Sequence, residues 1–207
     1  GLTLGKAGNT AGIIVASNTS IAGPIRVYGG AVDINADLNT TLADAEILLQ
    51  ARGNLIMADG KVVRTNGGDI TLWSDSDGEG TGYIHLVNNN TLDSRTATAR
   101  TLNVEAGNST SATGGGDITL AGGSGSRAAD GYAVSNGTPR LGGVNLGDQD
   151  HTSNTTTLYS GGGDVVIRGR QSGSGSAMAV QWINAGLINA GQGTASIDGN
   201  NVGGGHG

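Results

Sequence analysis

The sequence carries the hexapeptide Gly67-Gly68-Asp69-Ile70-Thr71-Leu72. It returns as Gly115-Gly116-Asp117-Ile118-Thr119-Leu120, and a variant returns as Gly162-Gly163-Asp164-Val165-Val166-Ile167. In each copy, glycines precede an aspartate, and the aspartate precedes the β-branched and aliphatic residues that are typical of strands. The pattern therefore predicts strands that start after a glycine corner, with the aspartate hydrogen-bonded to turn backbone.

The aspartates of the three copies are 48 and 47 positions apart, which is a spacing typical of repeat proteins. Shorter apolar pulses lie between and before the copies: Ile13-Ile14-Val15, Ile25-Arg26-Val27-Tyr28, Val32-Asp33-Ile34, Leu55-Ile56-Met57, Thr101-Leu102-Asn103-Val104, Val144-Asn145-Leu146 and Leu187-Ile188-Asn189. We therefore expect each interval to hold two coils of about 24 residues, with roughly eight or nine coils in all.

The composition argues against a thick globular core, because 40 of the 207 residues are Gly, none is Phe and only 3% are aromatic. Stacked coils about 4.8 Å apart need only thin aliphatic columns inside and Gly or Asn at the corners. The expected fold is all-β, a right-handed parallel β-helix (β-solenoid) with loops protruding from the corners at 122–127, 147–157 and 171–177.

One β-solenoid segment is expected over residues 1–200, as part of a longer chain, with a flexible Gly-rich tail at 201–207. The window 41–52 has good helix propensity, but it also fits a strand-rich coil in register with its neighbours, and we prefer that interpretation. Open solenoid ends expose strand edges, so end-to-end self-association is a further expectation.

The charge excludes several partners. The formal net charge is −6, and the 11 Lys and Arg residues form no run, so neither nucleic acid nor an anionic membrane surface is expected to bind. No stretch approaches the roughly 20 apolar residues of a membrane helix. The chain has no cysteine, which is compatible with export in an unfolded state and with many other settings.

The run Gly68-Asp69-Ile70-Thr71-Leu72-Trp73-Ser74-Asp75-Ser76-Asp77, together with the later copies and the Asn/Ala/Gly-rich coils, resembles the repeat region of filamentous haemagglutinin-like exoproteins. These are large two-partner-secretion adhesins of bacteria. The resemblance covers most of the chain and implies an extracellular right-handed β-helix, exported through an outer-membrane partner, that attaches to host cells, other bacteria or matrix. The family's amino-terminal secretion motifs have no match here, so contact with the transporter is assigned to a region outside this segment.

The most site-like cluster is Asp75-Ser76-Asp77-Gly78-Glu79-Gly80. Alternating carboxylates beside a glycine turn resemble the start of a calcium loop, because Ca²⁺ prefers several oxygen ligands. The match is partial, since Leu86 stands where a bidentate Glu belongs. Asp75, Asp77 and Glu79 are the candidate metal ligands, and a solvated acidic turn is the alternative that we favour. No other cofactor is expected.

A polysaccharide-processing enzyme is the main alternative function, with Asp69, Asp117 and Asp164 as stacked carboxylates. Nothing in the sequence distinguishes one of these aspartates from the next, whereas hydrolysis needs two carboxylates with different pKa values. His85, His151 and His206 are isolated, which makes a zinc site improbable. The scattered aromatic residues are either a sugar-stacking surface or strand filler: Tyr28, Trp73, Tyr83, Tyr132, Tyr159 and Trp182.

The sequence thus favours a non-enzymatic structural and adhesive segment of a secreted bacterial surface protein, whose receptor is not encoded in any recognisable motif. A self-assembling fibre subunit is a third hypothesis, because open solenoid ends can stack.

Overall fold

The computed structural model describes residues 1–101, 113–136, 140–153, 155–173, 177–184 and 186–202. Of the expected glycine tail at 201–207, residues 203–207 lie outside these ranges, whereas Asn201 is the last residue of a strand. Of the predicted apolar run at 101–104, residues 102–104 lie outside these ranges, and Thr101 is the last residue of a short helix. Strands dominate, and every pairing between named strands is parallel.

The strands form three sheets. The first sheet contains β1 (Leu2–Gly5), β4 (Ile25–Gly29), β7 (Ile47–Ala51), β10 (Ile70–Ser74), β13 (Ile118–Gly122), β17 (Val165–Gln171) and β20 (Ala195–Asn201), with β14 (Ala133–Ser135) paired to the end of β17. The second sheet contains β2 (Ile13–Val15), β5 (Val32–Ile34), β8 (Leu55–Met57), β11 (Ile84–Leu86), β15 (Val144–Leu146) and β18 (Val180–Trp182). The third sheet contains β3 (Thr19–Ile21), β6 (Leu38–Ala43), β9 (Val62–Asn66), β12 (Thr91–Asp93), β16 (Thr156–Tyr159) and β19 (Gly186–Asn189).

The chain visits the three sheets in turn and then returns to the first. Within the described ranges it completes six such coils, since the second and third sheets have 6 strands each, and β20 starts a seventh. The expected parallel β-helix is therefore confirmed. The expected eight or nine coils are too many, because several coils are longer than about 24 residues.

The spacing of the hexapeptide has a different meaning from the predicted one. In the first coils, residues at one position of the first sheet follow each other after 22 or 23 residues, as Leu2, Ile25, Ile47 and Ile70 do. Ile70 then pairs directly with Ile118, and the repeat aspartates beside them are 48 residues apart. The prediction of two coils per interval is wrong, since each interval from one copy of the hexapeptide to the next is a single coil.

The extra length lies between the strands: residues 75–83 separate β10 from β11, residues 94–117 separate β12 from β13, and residues 123–143 lie around β14. We call the described parts of these segments, 75–83, 94–101, 113–117, 123–136 and 140–143, the corner excursions. Residues 123–127 of the expected loop at 122–127 belong to the excursion around β14, whereas Gly122 is the last residue of β13. The expected loop at 147–157 ends where β16 begins at Thr156, and that at 171–177 lies partly outside the described ranges.

The core is a set of thin aliphatic columns, as expected. Strands β4, β7 and β10 alternate between buried and half-buried residues, so one side chain in two points inward. Two inward columns of the first sheet are fully buried and stack in register: Ile25, Ile47, Ile70, Ile118 and Val165 in one, and Val27, Leu49, Leu72, Leu120 and Ile167 in the other. Burial of apolar area in these columns stabilises the stack at about 25 cal/mol per Å².

Helical structure is minor. The described residues hold one α-helix, α1 (Ala97–Thr101), and a 3₁₀ turn at Ala128–Asp130. The helix-prone window 41–52 folds as the end of β6 and as β7, in agreement with the strand interpretation. Neither helical segment has the length and hydrophobicity needed to span a membrane.

The paired glycines of the hexapeptide serve two different needs. Gly67 has a φ of +89°, which side-chain-bearing residues rarely adopt. Gly68 and Gly116 do not have a positive φ, and they occupy equivalent positions before the aspartate. A Cβ added to Gly116 would lie 2.4 Å from the carbonyl carbon and oxygen of Gly68 in the preceding coil. The glycine before the aspartate is therefore required because two coils approach closely, which the sequence argument about corners did not foresee.

Candidate functional site

The repeat aspartates connect successive coils. Oδ1 of Asp69 accepts a hydrogen bond from the backbone N–H of Asp117 at 2.9 Å, and Oδ1 of Asp117 accepts one from the N–H of Asp164 at 2.8 Å. Oδ1 of Asp164 accepts a bond from the N–H of Thr194, also at 2.8 Å. We call Asp69, Asp117 and Asp164 the aspartate ladder. The carboxylates bond to corner backbone, as the sequence predicts, but each bond reaches the following coil.

The structure distinguishes the members of the ladder, which the sequence did not. Partial desolvation raises the pKa of Asp69, the hydrogen bond from Asp117 opposes this shift, and the charges of Asp117, Glu46 and Asp44 add to it. The hydrogen bonds from Thr194 lower the pKa of Asp164, which is otherwise exposed. The two aspartates therefore differ because of the groups around them rather than because of their own local sequence.

We expect the carboxyl group of Asp69 to titrate above the ordinary aspartate pKa and that of Asp164 to titrate below it, in a carbon-detected NMR titration. The lowered pKa means that Asp164 stabilises the fold above its unfolded pKa of about 3.9, and that this stabilisation disappears as the pH falls through its folded pKa. Asp164→Asn is expected to remove this part of the acid dependence of stability. Equal midpoints for Asp69 and Asp164 would contradict the assignment.

The candidate calcium ligands lie in the corner excursion after β10. Oδ1 of the buried Asp75 accepts hydrogen bonds from the N–H groups of Gly80 and Thr81 at 2.9 and 3.1 Å. Oδ2 of Asp77 forms an ion pair with Nε of Arg52 at 2.9 Å, and Oδ1 of Asp77 accepts the N–H of Glu79 at 3.3 Å. Two of the three carboxylates thus organise the turn, and calcium binding stays a prediction.

Across the described part of the chain, no group of three or more His, Cys, Asp and Glu side chains is arranged to hold a metal ion. His85 is buried, which lowers its pKa, and its Nε2 lies 4.0 Å from Oδ2 of Asp148. His206 is outside the described ranges.

The outer face of the first sheet carries a groove of about 370 Å³. Its floor is formed by outward side chains of β10 and β13, among them Thr71, Trp73 and Thr119. Asp69 and Asp117 of the aspartate ladder line it on one side, and residues 126–129 of the last corner excursion line it as well. We call this feature the first-sheet groove.

The excursion that borders the groove is fixed to the sheet by several contacts. Nε1 of Trp73 donates a hydrogen bond to the carbonyl oxygen of Gly123 at 2.8 Å, and Nη1 of Arg168 donates one to the carbonyl oxygen of Ala129 at 2.7 Å. The guanidinium of Arg168 also lies 4.2 Å from the ring centroid of Tyr132. Such a cation–π contact adds about 0.5–1 kcal/mol at an exposed site. The groove is therefore preformed, with an aromatic ring, hydroxyls and carboxylates along it.

The structure separates the aromatic residues that the sequence left undecided. Trp73 lies in the first-sheet groove, whereas Tyr132 lies against Arg168 and Tyr159 lies 4.1 Å from the guanidinium carbon of Arg95. Trp182 packs against the hydrophobic core. Trp73, Tyr132, Tyr159 and Trp182 therefore have different surroundings.

The sequence did not single out Asp93, which is fully buried at the outer side of the third sheet. Two nitrogens of the Arg95 guanidinium donate hydrogen bonds to the carboxylate of Asp93: Nε to Oδ1 at 2.9 Å and Nη2 to Oδ2 at 3.0 Å. Arg64 and Arg100 approach the same carboxylate to 3.4 and 3.9 Å. We call Asp93 with Arg64, Arg95 and Arg100 the arginine cluster.

The fold and these surfaces define the protein as a parallel β-helix with corner excursions. Comparison of the chain with protein-family models, curated proteins and solved structures found no match.

Proposed function

We propose that this chain is a rigid structural and adhesive segment of an extracellular bacterial surface protein of the filamentous haemagglutinin-like kind. The aspartate ladder is the observation that carries the proposal. Each of its three carboxylates accepts a backbone N–H of the next coil, so the residues that repeat most regularly hold the stack together. A function based on length, rigidity and a repetitive surface needs residues that link each coil to the next, as these aspartates do.

The proposed extracellular location follows from the resemblance of the repeats to those of filamentous haemagglutinin-like exoproteins. A repeat region of that family implies export through an outer-membrane partner and attachment to host cells, other bacteria or matrix. The parallel β-helix is the architecture that such a region requires. The absence of cysteine is compatible with passage in an unfolded state.

The enzymatic alternative is less well supported. Its candidate carboxylates, Asp69, Asp117 and Asp164, all accept backbone hydrogen bonds. The lowered pKa of Asp164 makes that residue a poorer proton acceptor for a reacting group, whereas the pKa of Asp69 is raised despite its hydrogen bond. The different pKa directions of Asp69 and Asp164 fit the need of hydrolysis for unlike carboxylates. These two residues belong to different repeats, however, with Asp117 between them.

The first-sheet groove is the proposed adhesive surface, because an aromatic ring beside hydroxyl and carboxylate groups suits a carbohydrate. Thr119→Arg places a long side chain in the groove and is expected to lower the attachment of chain-coated beads to an epithelial cell layer or a bacterial biofilm about tenfold, equivalent to about 1.4 kcal/mol. The matched control is Thr3→Arg, since Thr3 occupies the same outward column of the first sheet but lies outside the groove.

Two results would overturn the proposal. One is that beads coated with the unmodified chain attach no better than uncoated beads. The other is that the purified chain releases reducing ends from a polysaccharide and that Asp69→Asn abolishes this release, which would establish the enzymatic alternative.

A further inference from the structure

The third sheet carries an outward column of polar residues that is independent of the first-sheet groove. Asn39 pairs with Arg64, Arg64 pairs with Asp93, and Asp93 pairs with Tyr159, so these four residues occupy one line across β6, β9, β12 and β16. Arg95 and Arg100 reach the same line from the segment after β12, with Arg100 in α1.

The charges in the arginine cluster do not balance. Both oxygens of Asp93 are bound by Arg95. Nε of Arg64 is buried and makes no hydrogen bond, although it lies 3.4 Å from Asp93. Asp93 is the only carboxylate that forms an ion pair with Arg64 or Arg100 in the described part of the chain. Three guanidinium groups therefore share one carboxylate, in a protein whose net charge is −6.

The pKa of Arg100 reflects the same imbalance. Burial lowers the pKa of Arg100, Asp93 raises it, and the positive charges of Arg64 and Arg95 lower it. An additional anion beside Arg64 and Arg100 would relieve the repulsion between them.

A depression of about 340 Å³ lies next to these two arginines. Arg64 and Arg100 both line it, together with Asn39, Thr41 and Asn66. Its volume is at the lower end of the range for small-molecule sites, about 300–1,000 Å³. The planar fork of a guanidinium group can donate hydrogen bonds to two oxygens of one carboxylate or sulfate group.

We propose that this depression binds the carboxylate or sulfate group of an acidic polysaccharide, held by Arg64 and Arg100. A polymer with widely spaced charges is the occupant that fits best, because the net charge of −6 repels a densely charged polyanion such as nucleic acid at long range. The site goes beyond the proposed adhesive groove, lies on another sheet and does not depend on it.

Calorimetric titration of the full chain with trigalacturonate, and separately with a κ-carrageenan tetrasaccharide that carries sulfate but no carboxylate, tests the site and distinguishes carboxylate from sulfate. We expect binding of at least one probe, no binding of methyl-esterified trigalacturonate, and an affinity loss of about tenfold or more in Arg64→Gln and in Arg100→Gln. Arg127→Gln removes the same charge from an exposed position outside the depression and is expected to bind as the unmodified chain does.

Thermal unfolding with and without probe separates binding from folding, since a bound probe raises the melting temperature of the unmodified chain but not that of Arg64→Gln. Arg64→Lys keeps the charge and is expected to regain part of the affinity. Glu105→Gln tests whether a carboxylate of this chain, outside the described ranges, fills the place of the anion.

The proposal is overturned if neither acidic probe binds at millimolar concentration, if all variants bind equally, or if Glu105→Gln lowers the melting temperature as much as Arg64→Gln does. The adhesive groove is tested by a different experiment, bead attachment with Thr119→Arg. The anion site and the adhesive groove can therefore fail independently of each other.

Discussion

Replacement of Gly116 by alanine is expected to destabilise the protein by about 3 kcal/mol or more, the upper part of the range for overpacking. The new Cβ would lie 2.4 Å from the carbonyl carbon of Gly68 and 2.7 Å from the backbone nitrogen of Asp69. These atoms belong to the backbone of the preceding coil and cannot rotate away as a side chain can. Urea denaturation followed by circular dichroism measures the loss.

Gly12→Ala is the matched control for Gly116→Ala. A Cβ on Gly12 meets no atom within 4 Å, and Gly12 does not have a positive φ. We expect a change within about 0.5 kcal/mol. If Gly116→Ala were as mild as Gly12→Ala, the close approach of the coils at the hexapeptide would be wrong.

The second large effect is expected for Asp93→Asn, at about 3 kcal/mol, because removing one partner of a buried ion pair leaves the other charge uncompensated. Asp93 is fully buried, and its carboxylate is the shared partner of Arg64, Arg95 and Arg100. The asparagine has nearly the same shape, so the measured loss reports the missing charge rather than a cavity.

The comparison variant is Asp150→Asn, which removes the carboxylate paired with Arg140 at 3.5 Å. The side chain of Asp150 is 79% exposed, and such surface pairs contribute only about 0–1 kcal/mol. Equal unfolding free energies for Asp93→Asn and Asp150→Asn would show that Asp93 is not the electrostatic centre of the arginine cluster.

The strand pattern was predictable because its cause is local. Alternating aliphatic residues such as Ile70 and Leu72 need only one buried face, and a glycine corner must precede them. These requirements act within a few residues, so the sequence shows them directly. The three copies of the hexapeptide do stack in register on the first sheet.

The number of coils was not predictable in the same way. A corner excursion can be long or short without changing the strands on either side, because only the ends of the excursion must meet the stack. The segments at 94–117 and 123–143 contain small and polar residues that resemble those of a coil. Only the direct pairing of Ile70 with Ile118 shows that no strand of the first sheet lies between them.

The sites differed in predictability for a related reason. Asp69, Asp117 and Asp164 were visible because they repeat, whereas the arginine cluster depends on the non-repeating residues directly after β12, which include Arg95 and Arg100. The short spacing of Asp93 and Arg95 was the one available signal. Arg64 comes from the preceding coil, and only strand register brings it beside Asp93.

The direction of the aspartate ladder has a consequence for how the stack is assembled. Each carboxylate of the ladder accepts its hydrogen bond from the coil that follows. A coil that contains Asp69, Asp117 or Asp164 therefore has a free acceptor until the next coil has folded onto it. The position of this acceptor helps to set the register of the next strand against the strand of the preceding coil. Because the amino-terminal part of a chain is synthesised first, the carboxylates of Asp69, Asp117 and Asp164 are in place before the backbone N–H groups that bind them.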